Sequence, residues 1–140
     1  MQTRRRILAA GAAALLAPAL APLAARAQSD EIEGVIASQI EAFRADDFER
    51  AFDFASPNIR RMFGSSDNFG RMVRQGYPMV WRPRSYRFSG LEAERGQLRQ
   101  TVVIEDLEGA VYVADYYMIE TDGGWRINGV SLRPQVGAGA

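Results

Sequence analysis

Apolar positions follow two different periods along this chain, and the change falls near Arg84. Before it they recur at helical spacing, and after it every second residue is apolar. Ile32, Val35, Ile36, Ile40 and Phe43 make one stripe that predicts a helix from about Asp30 to Ala45. Ser29-Asp30 reads as its start, with Glu31 and Glu33 where the helix dipole favours acids. Asp46-Asp47 reads as a break; neighbouring residues on a helix do not face each other, so the two are not a catalytic acid pair. Phe48, Ala51, Phe52 and Ala55 predict a second, short helix. Ser56-Pro57 offers an N-cap followed by proline at the first helical position, leading through Ile59, Met62 and Phe63 to a stop at Gly64. A further start at Ser66 or Asp67 carries Phe69, Met72 and Val73 toward Gly76, and Tyr77-Pro78 closes the helical half. Gly34, inside the first helix, costs roughly 1 kcal/mol against alanine there, which close packing or plain drift would explain.

Tyr86 and Phe88 alternate with Ser85, Arg87 and Ser89, the pattern of a strand with one wet face. Leu98–Leu107, Ala110–Glu120 and Gly124–Arg133 read as three more strands. Turn formers at Glu94-Arg95-Gly96, Glu108-Gly109 and Asp122-Gly123-Gly124 join them. Trp125 shares a strand face with Ile127 and reads as a core anchor rather than a ligand platform. Helices first and strands afterwards predict an α+β fold, with N-terminal helices packed on a curved four-stranded antiparallel sheet. Residues 28–134 are expected to form one domain, and the Gly- and Ala-rich tail 135–140, with nothing to bury, to be disordered.

The first 27 residues change the picture of where the chain works. Arg4, Arg5 and Arg6 precede an Ala- and Leu-rich run from Ile7 to Leu23, and Ala25-Arg26-Ala27 supplies a small-x-small cleavage pattern before Gln28. Thr3-Arg4-Arg5-Arg6-Ile7-Leu8 fits the twin-arginine export pattern, and the mild apolar run with Pro18 and Pro22 suits that route better than the general secretory one. The same prolines, in a run no longer than the roughly 20 residues a spanning helix needs, argue against a retained anchor. A periplasmic or secreted domain, not membrane-spanning, is the expectation. Cleavage would remove four of the 17 basic residues and none of the 17 acidic ones, leaving a net charge near −4. An acidic domain is a poor nucleic-acid binder, because that function needs basic patches that displace counterions. The chain has no Cys, no His and no Lys. Thiol nucleophiles, disulfides and Cys/His zinc sites are therefore excluded, and neither cofactor nor metal is implied.

Gln39-Ile40-Glu41-Ala42-Phe43-Arg44-Ala45-Asp46-Asp47, Ala51-Phe52-Asp53-Phe54-Ala55-Ser56-Pro57, Tyr77-Pro78 and Gly124-Trp125-Arg126-Ile127-Asn128-Gly129-Val130 resemble the bacterial DUF4864 domain family, a likeness that covers essentially all of residues 30–133. The element order is also similar to the cone-shaped fold of the nuclear transport factor 2-like (NTF2-like) superfamily. That resemblance implies a concave pocket between helices and sheet, used by different members as an isomerase or dehydratase site, a ligand cavity or a dimer surface. Fold alone does not choose among these.

Two constellations carry the candidate chemistry. Asp115 shares a strand face with Val111, Val113, Tyr117 and Ile119; a carboxylate on an apolar face would have a raised pKa and could serve as a general base beside a tyrosine. Its bland counterpart, which we weigh more heavily, is a carboxylate near the sheet rim or paired with an arginine of a neighbouring strand. Arg71, Arg74, Arg82, Arg84 and Arg87 form a stretch without an acid between Asp67 and Glu92, interleaved with Tyr77, Trp81 and Tyr86. Arg82, Arg84, Tyr77, Trp81 and Tyr86 are the candidate ligand residues, as a mouth for an anion with aromatic stacking surface; solvated arginines paired with distant acids are the plainer account. Tyr112, Ala114, Tyr116 and Met118 lie on the face opposite Asp115, so both faces of that strand need cover. A second subunit in a homodimer, a pocket ligand or a loop would supply it; the plainer account is a monomer whose tyrosine hydroxyls reach water while the rings lie on the sheet. The reading that results is noncatalytic binding of a small hydrophobic or anionic ligand, or of a protein partner. Its alternative is a cofactor-free isomerase or dehydratase using Asp115 and a pocket tyrosine.

Overall fold

The computed structural model describes residues 17–134. The arginines at positions 4–6, the apolar run up to Leu16 and the tail 135–140 lie outside the described residues. Five helices precede four strands: α1 (Ala17–Arg44), α2 (Phe48–Asp53), α3 (Pro57–Phe63), α4 (Ser66–Gly76), α5 (Pro78–Trp81), β1 (Ser85–Glu94), β2 (Gln97–Glu105), β3 (Val111–Thr121) and β4 (Gly124–Pro134). Residues up to Glu31 and residues from Ile32 onward are two compact units, and the core belongs to the second.

Helix α1 differs from expectation at its start. It does not begin at Ser29-Asp30 but runs back to Ala17, because alanine and leucine upstream have the highest helix propensities; Pro18 falls in the first turn, where proline is tolerated, and Pro22 lies inside the helix. Its end is where the Asp46-Asp47 break was expected. Asp46 adopts φ +56°, Asp46 N–H donates to Phe43 O at 3.0 Å and Asp47 N–H to Ala42 O at 2.8 Å. This is a Schellman closure with aspartate standing where glycine is usual. No heavy atom lies within 4 Å of where a Cβ at Gly34 would stand, so close packing does not account for that glycine.

The next three helices are set by their caps. Asp47 accepts from Arg50 N–H, Ser56 from Ile59 N–H, and Ser65 from Asn68 N–H, each at 3.2 Å. Gly64, at φ +78°, ends α3, a backbone conformation that glycine adopts without a Cβ penalty. The chain does not leave helix at Tyr77-Pro78 as expected: Pro78 begins the one-turn helix α5, since proline at a first helical position lacks only a donor that would be unpaired there.

The strands form an antiparallel meander in the order β1-β2-β3-β4. Tyr86, Phe88, Gln100, Val102, Ile104, Ala114, Tyr116, Met118, Trp125 and Ile127 share the inner face by register. They join Ile32, Ile36, Ile40 and Phe43 of α1 in one hydrophobic core. Thus the N-terminal helices cover one side of an antiparallel sheet, the α+β architecture that helices followed by strands predict. Two register shifts interrupt it. One falls between Phe88 and Leu91, where the Gln100 amide nitrogen fills the gap by donating to Ser89 O at 3.1 Å and Gly90 O at 3.3 Å. The other leaves Asn128 without a partner on β3. Beyond this bulge the parity of β4 reverses, and Val130 and Leu132 pair with the inward Tyr116 and Ala114.

Candidate functional site

The Asn128 bulge, with the helices it holds, shapes a cavity. Asn128 accepts from Ser56 Oγ at 2.7 Å and donates from Nδ2 to Gln97 Oε1 at 2.9 Å. Ser56 N–H donates to Ile127 O at 2.8 Å, and Ile127 N–H to Phe54 O at 2.9 Å, so residues 54–56 lie against the β4 edge as a short parallel bridge. This tether carries α3 across the end of the sheet. Between α1, α3, α4, α5 and β4 remains a cavity of about 340 Å³. Ile59, Met62 and Phe63 come from α3, Phe69, Met72 and Val73 from α4, and Ile127, Gly129 and Val130 from β4. No lining residue is charged; Gln39 and Tyr77 are the polar side chains of the wall. Tyr77 Oη donates to Val130 O at 3.3 Å, and Gln39 Nε2 to Ala51 O at 3.1 Å.

Of the five residues expected to bind an anion, the structure places Tyr77 alone in this wall. Arg82 closes the end of α1: its guanidinium donates to the carbonyls of Phe43 and Arg44 and to both carboxylate oxygens of Asp46, at 3.0 and 3.1 Å. Trp81 Nε1 donates to the same Asp46 carboxylate at 3.0 Å. Arg84 is exposed, donating to Leu107 O, with Glu105 3.9 Å away. Tyr86 packs edge-on to Phe88 under the Arg44 guanidinium. The five are not brought together.

Nor does the structure bring Asp115 beside a cavity tyrosine. Asp115 pairs in register with Thr101 and Ser131, on the face turned away from the helices. It is only 7% exposed, accepts from Thr101 Oγ1 at 3.2 Å and is held by Arg133, whose Nε lies 3.3 Å from Oδ2. A general base must reach the proton it removes. This carboxylate faces away from the cavity and is already paired with a β4 arginine. Among the described residues no cluster of acids could hold a metal ion, and no helix is long and apolar enough to cross a membrane.

One buried polar group does stand out on the inner face. Tyr116 is fully buried, and its hydroxyl has no hydrogen-bond partner among the described residues. Burial pushes its pKa well above the usual value near 10, and the neighbouring Tyr86 adds to the shift. An unpaired buried hydroxyl costs about 1–3 kcal/mol. Tyr116→Phe is therefore expected to raise stability by about 1–2 kcal/mol at neutral pH, read by urea unfolding. A phenol whose folded pKa is raised contributes stability that is complete below the unfolded value near 10 and is lost as pH climbs past it toward the folded one. The parent protein should lose stability in that alkaline window, and the variant should lose less; a variant that is less stable at pH 7 would show that the hydroxyl has a partner.

A helical layer on an antiparallel sheet, with an uncharged, half-open apolar pocket between them, defines the class: α+β domains with a small-molecule-sized hollow. Within it, the chain belongs to the family described as a domain of unknown function, DUF4864, which it matches over residues 25–140. No curated protein matches the chain.

Proposed function

We propose that this protein is an exported binding protein that holds a small hydrophobic molecule in the cavity between α3, α4 and β4. The observation that carries the reading is the wall itself, about 340 Å³ of space lined by apolar side chains and free of charge. Drug-sized and smaller ligands occupy hollows of about 300–1,000 Å³ with this composition. A chain that has no use for a hollow fills it, since each lost contact lowers stability. The N-terminal arginines and the Ala25-Arg26-Ala27 pattern support export, by the twin-arginine route, to the periplasm with cleavage near Gln28. Kinship with the NTF2-like superfamily is part of the same reading, supported by the helix-then-meander order.

Native mass spectrometry of the protein isolated from its own host tests the proposal. The expected result is excess mass that leaves on denaturation and extracts into organic solvent. A clean apo mass, with the cavity also refusing added apolar compounds, would remove the ligand-binding reading. The same spectra report whether copies pair. The outward face, where half-buried Val103, Val111, Val113, Tyr117 and Ile119 lie around the Asp115–Arg133 pair, is the surface that supports a homodimer.

A further inference from the structure

The two polar groups of the cavity wall are oriented, and their orientation carries chemical information about the occupant. Gln39 is 3% exposed and its amide nitrogen is held 3.1 Å from the Ala51 carbonyl, an atom that can only accept. That contact fixes which end of the amide is which. The other end, Oε1, takes no donor from the described residues, and Gln39 lies on the cavity wall. Tyr77 has a single hydroxyl hydrogen, directed at Val130 O, which leaves its lone pairs. Both residues line the hollow, and each keeps acceptor lone pairs that no donor among the described residues takes. No arginine lines it, the 13 that follow Gln28 notwithstanding.

We infer that the cavity selects neutral apolar molecules bearing a hydroxyl or N–H donor, read by Gln39 Oε1 with Tyr77 Oη as a second acceptor, and discriminates against carboxylates. This rests on the binding reading above and narrows its ligand class. A hydroxyl entering the hollow trades its bond to water for one to Oε1. An ether of the same size cannot, and leaves the acceptor unmatched. A carboxylate brings only lone pairs and a charge, loses its hydration and meets no cation in the wall.

Three probes of nine or ten heavy atoms separate the cases at pH 8: 1-octanol, its isomer 1-methoxyheptane, and octanoate, titrated into the whole protein and followed by methyl NMR shifts of cavity residues. The alcohol should bind about 3–10-fold tighter than the ether, the worth of one net hydrogen bond, and octanoate should be the weakest. Gln39→Met should remove most of the alcohol's advantage over the ether while changing the ether less than about twofold. Tyr77→Phe, which keeps the ring, gives a second and smaller loss for the alcohol alone. Equal affinity for alcohol and ether in the parent protein, or preference for octanoate, would overturn the inference and leave the cavity a binding site. Failure of all three to shift cavity residues would overturn the binding reading, and this inference with it.

Discussion

Phe43→Ala is expected to cost about 3 kcal/mol, the lower end of the usual range of about 3–5 for a buried phenylalanine. The ring is 1% exposed and lies 6.1 Å from the Phe48 ring and 5.9 Å from the Phe69 ring, centroid to centroid, so it ties α1 to α2 and α4 at once. It also forms part of the cavity wall. On that side it has fewer atoms to lose contact with, which is why the low end applies. For a domain whose whole stability is about 5–15 kcal/mol, this is a large share. Urea unfolding should show a lower midpoint at unchanged slope. Octanol should recover more stability in the variant than in the parent, because the enlarged hollow gains contacts on filling. A loss under about 1 kcal/mol would mean that the ring does not bridge the helices as described.

How far such a site can be read from sequence depends on which distances it spans. Caps and periods are local, so Asp47 and Ser56 announce their helices, the cap of α4 falls at Ser65, one residue before the expected start at Ser66 or Asp67, and Ile32, Ile36, Ile40 and Phe43 announce the face they bury. Phe69, Met72, Ile59 and Met62 are legible as apolar helix faces but not as cavity wall. Nothing in a stripe says whether the partner surface closes over it. Strict alternation along β4 would carry the face of Trp125 and Ile127 on to residues 129, 131 and 133. The bulge at Asn128 instead turns Val130 and Leu132 inward and puts Gly129 in the wall. The bulge is held by Ser56 and Gln97, 72 and 31 residues away. Gln39 sits in the first helix among apolar neighbours, and its role becomes visible only when Ala51 meets its nitrogen. The arginine stretch is open for the same reason: it lacks acids in sequence, so either an anion mouth or pairing with distant acids fits it, and Arg82 finds Asp46 while Arg84 lies near Glu105.

That long-range pairing sets the last prediction. Arg82→Ala should lower stability by about 2 kcal/mol, whereas Arg84→Ala should change it by less than about 0.5 kcal/mol. Both are arginines two residues apart, and an anion-attracting mouth would treat them alike. Arg82 meets two carbonyls at the C-terminal end of α1, where the helix dipole favours a cation. It also grips the carboxylate of Asp46, the residue that must hold a left-handed backbone for the helix to close. Alanine there leaves Asp46 with Trp81 alone and takes the guanidinium from the Arg44 carbonyl, while the Phe43 carbonyl keeps the Asp46 N–H. Since the Arg82 side chain is one-third exposed, the figure lies below the range for a buried charged network. Arg84 has a side chain 54% exposed, its bond to the Leu107 carbonyl is at an exposed residue where water can replace it, and its acid is no closer than 3.9 Å, a geometry worth little in water. Salt should narrow the contrast only in part: 1 M NaCl weakens the ionic part of the Arg82 contribution but not its bonds to carbonyls, so most of the difference between the two variants should persist. Equal losses would return both arginines to a common electrostatic role at the surface.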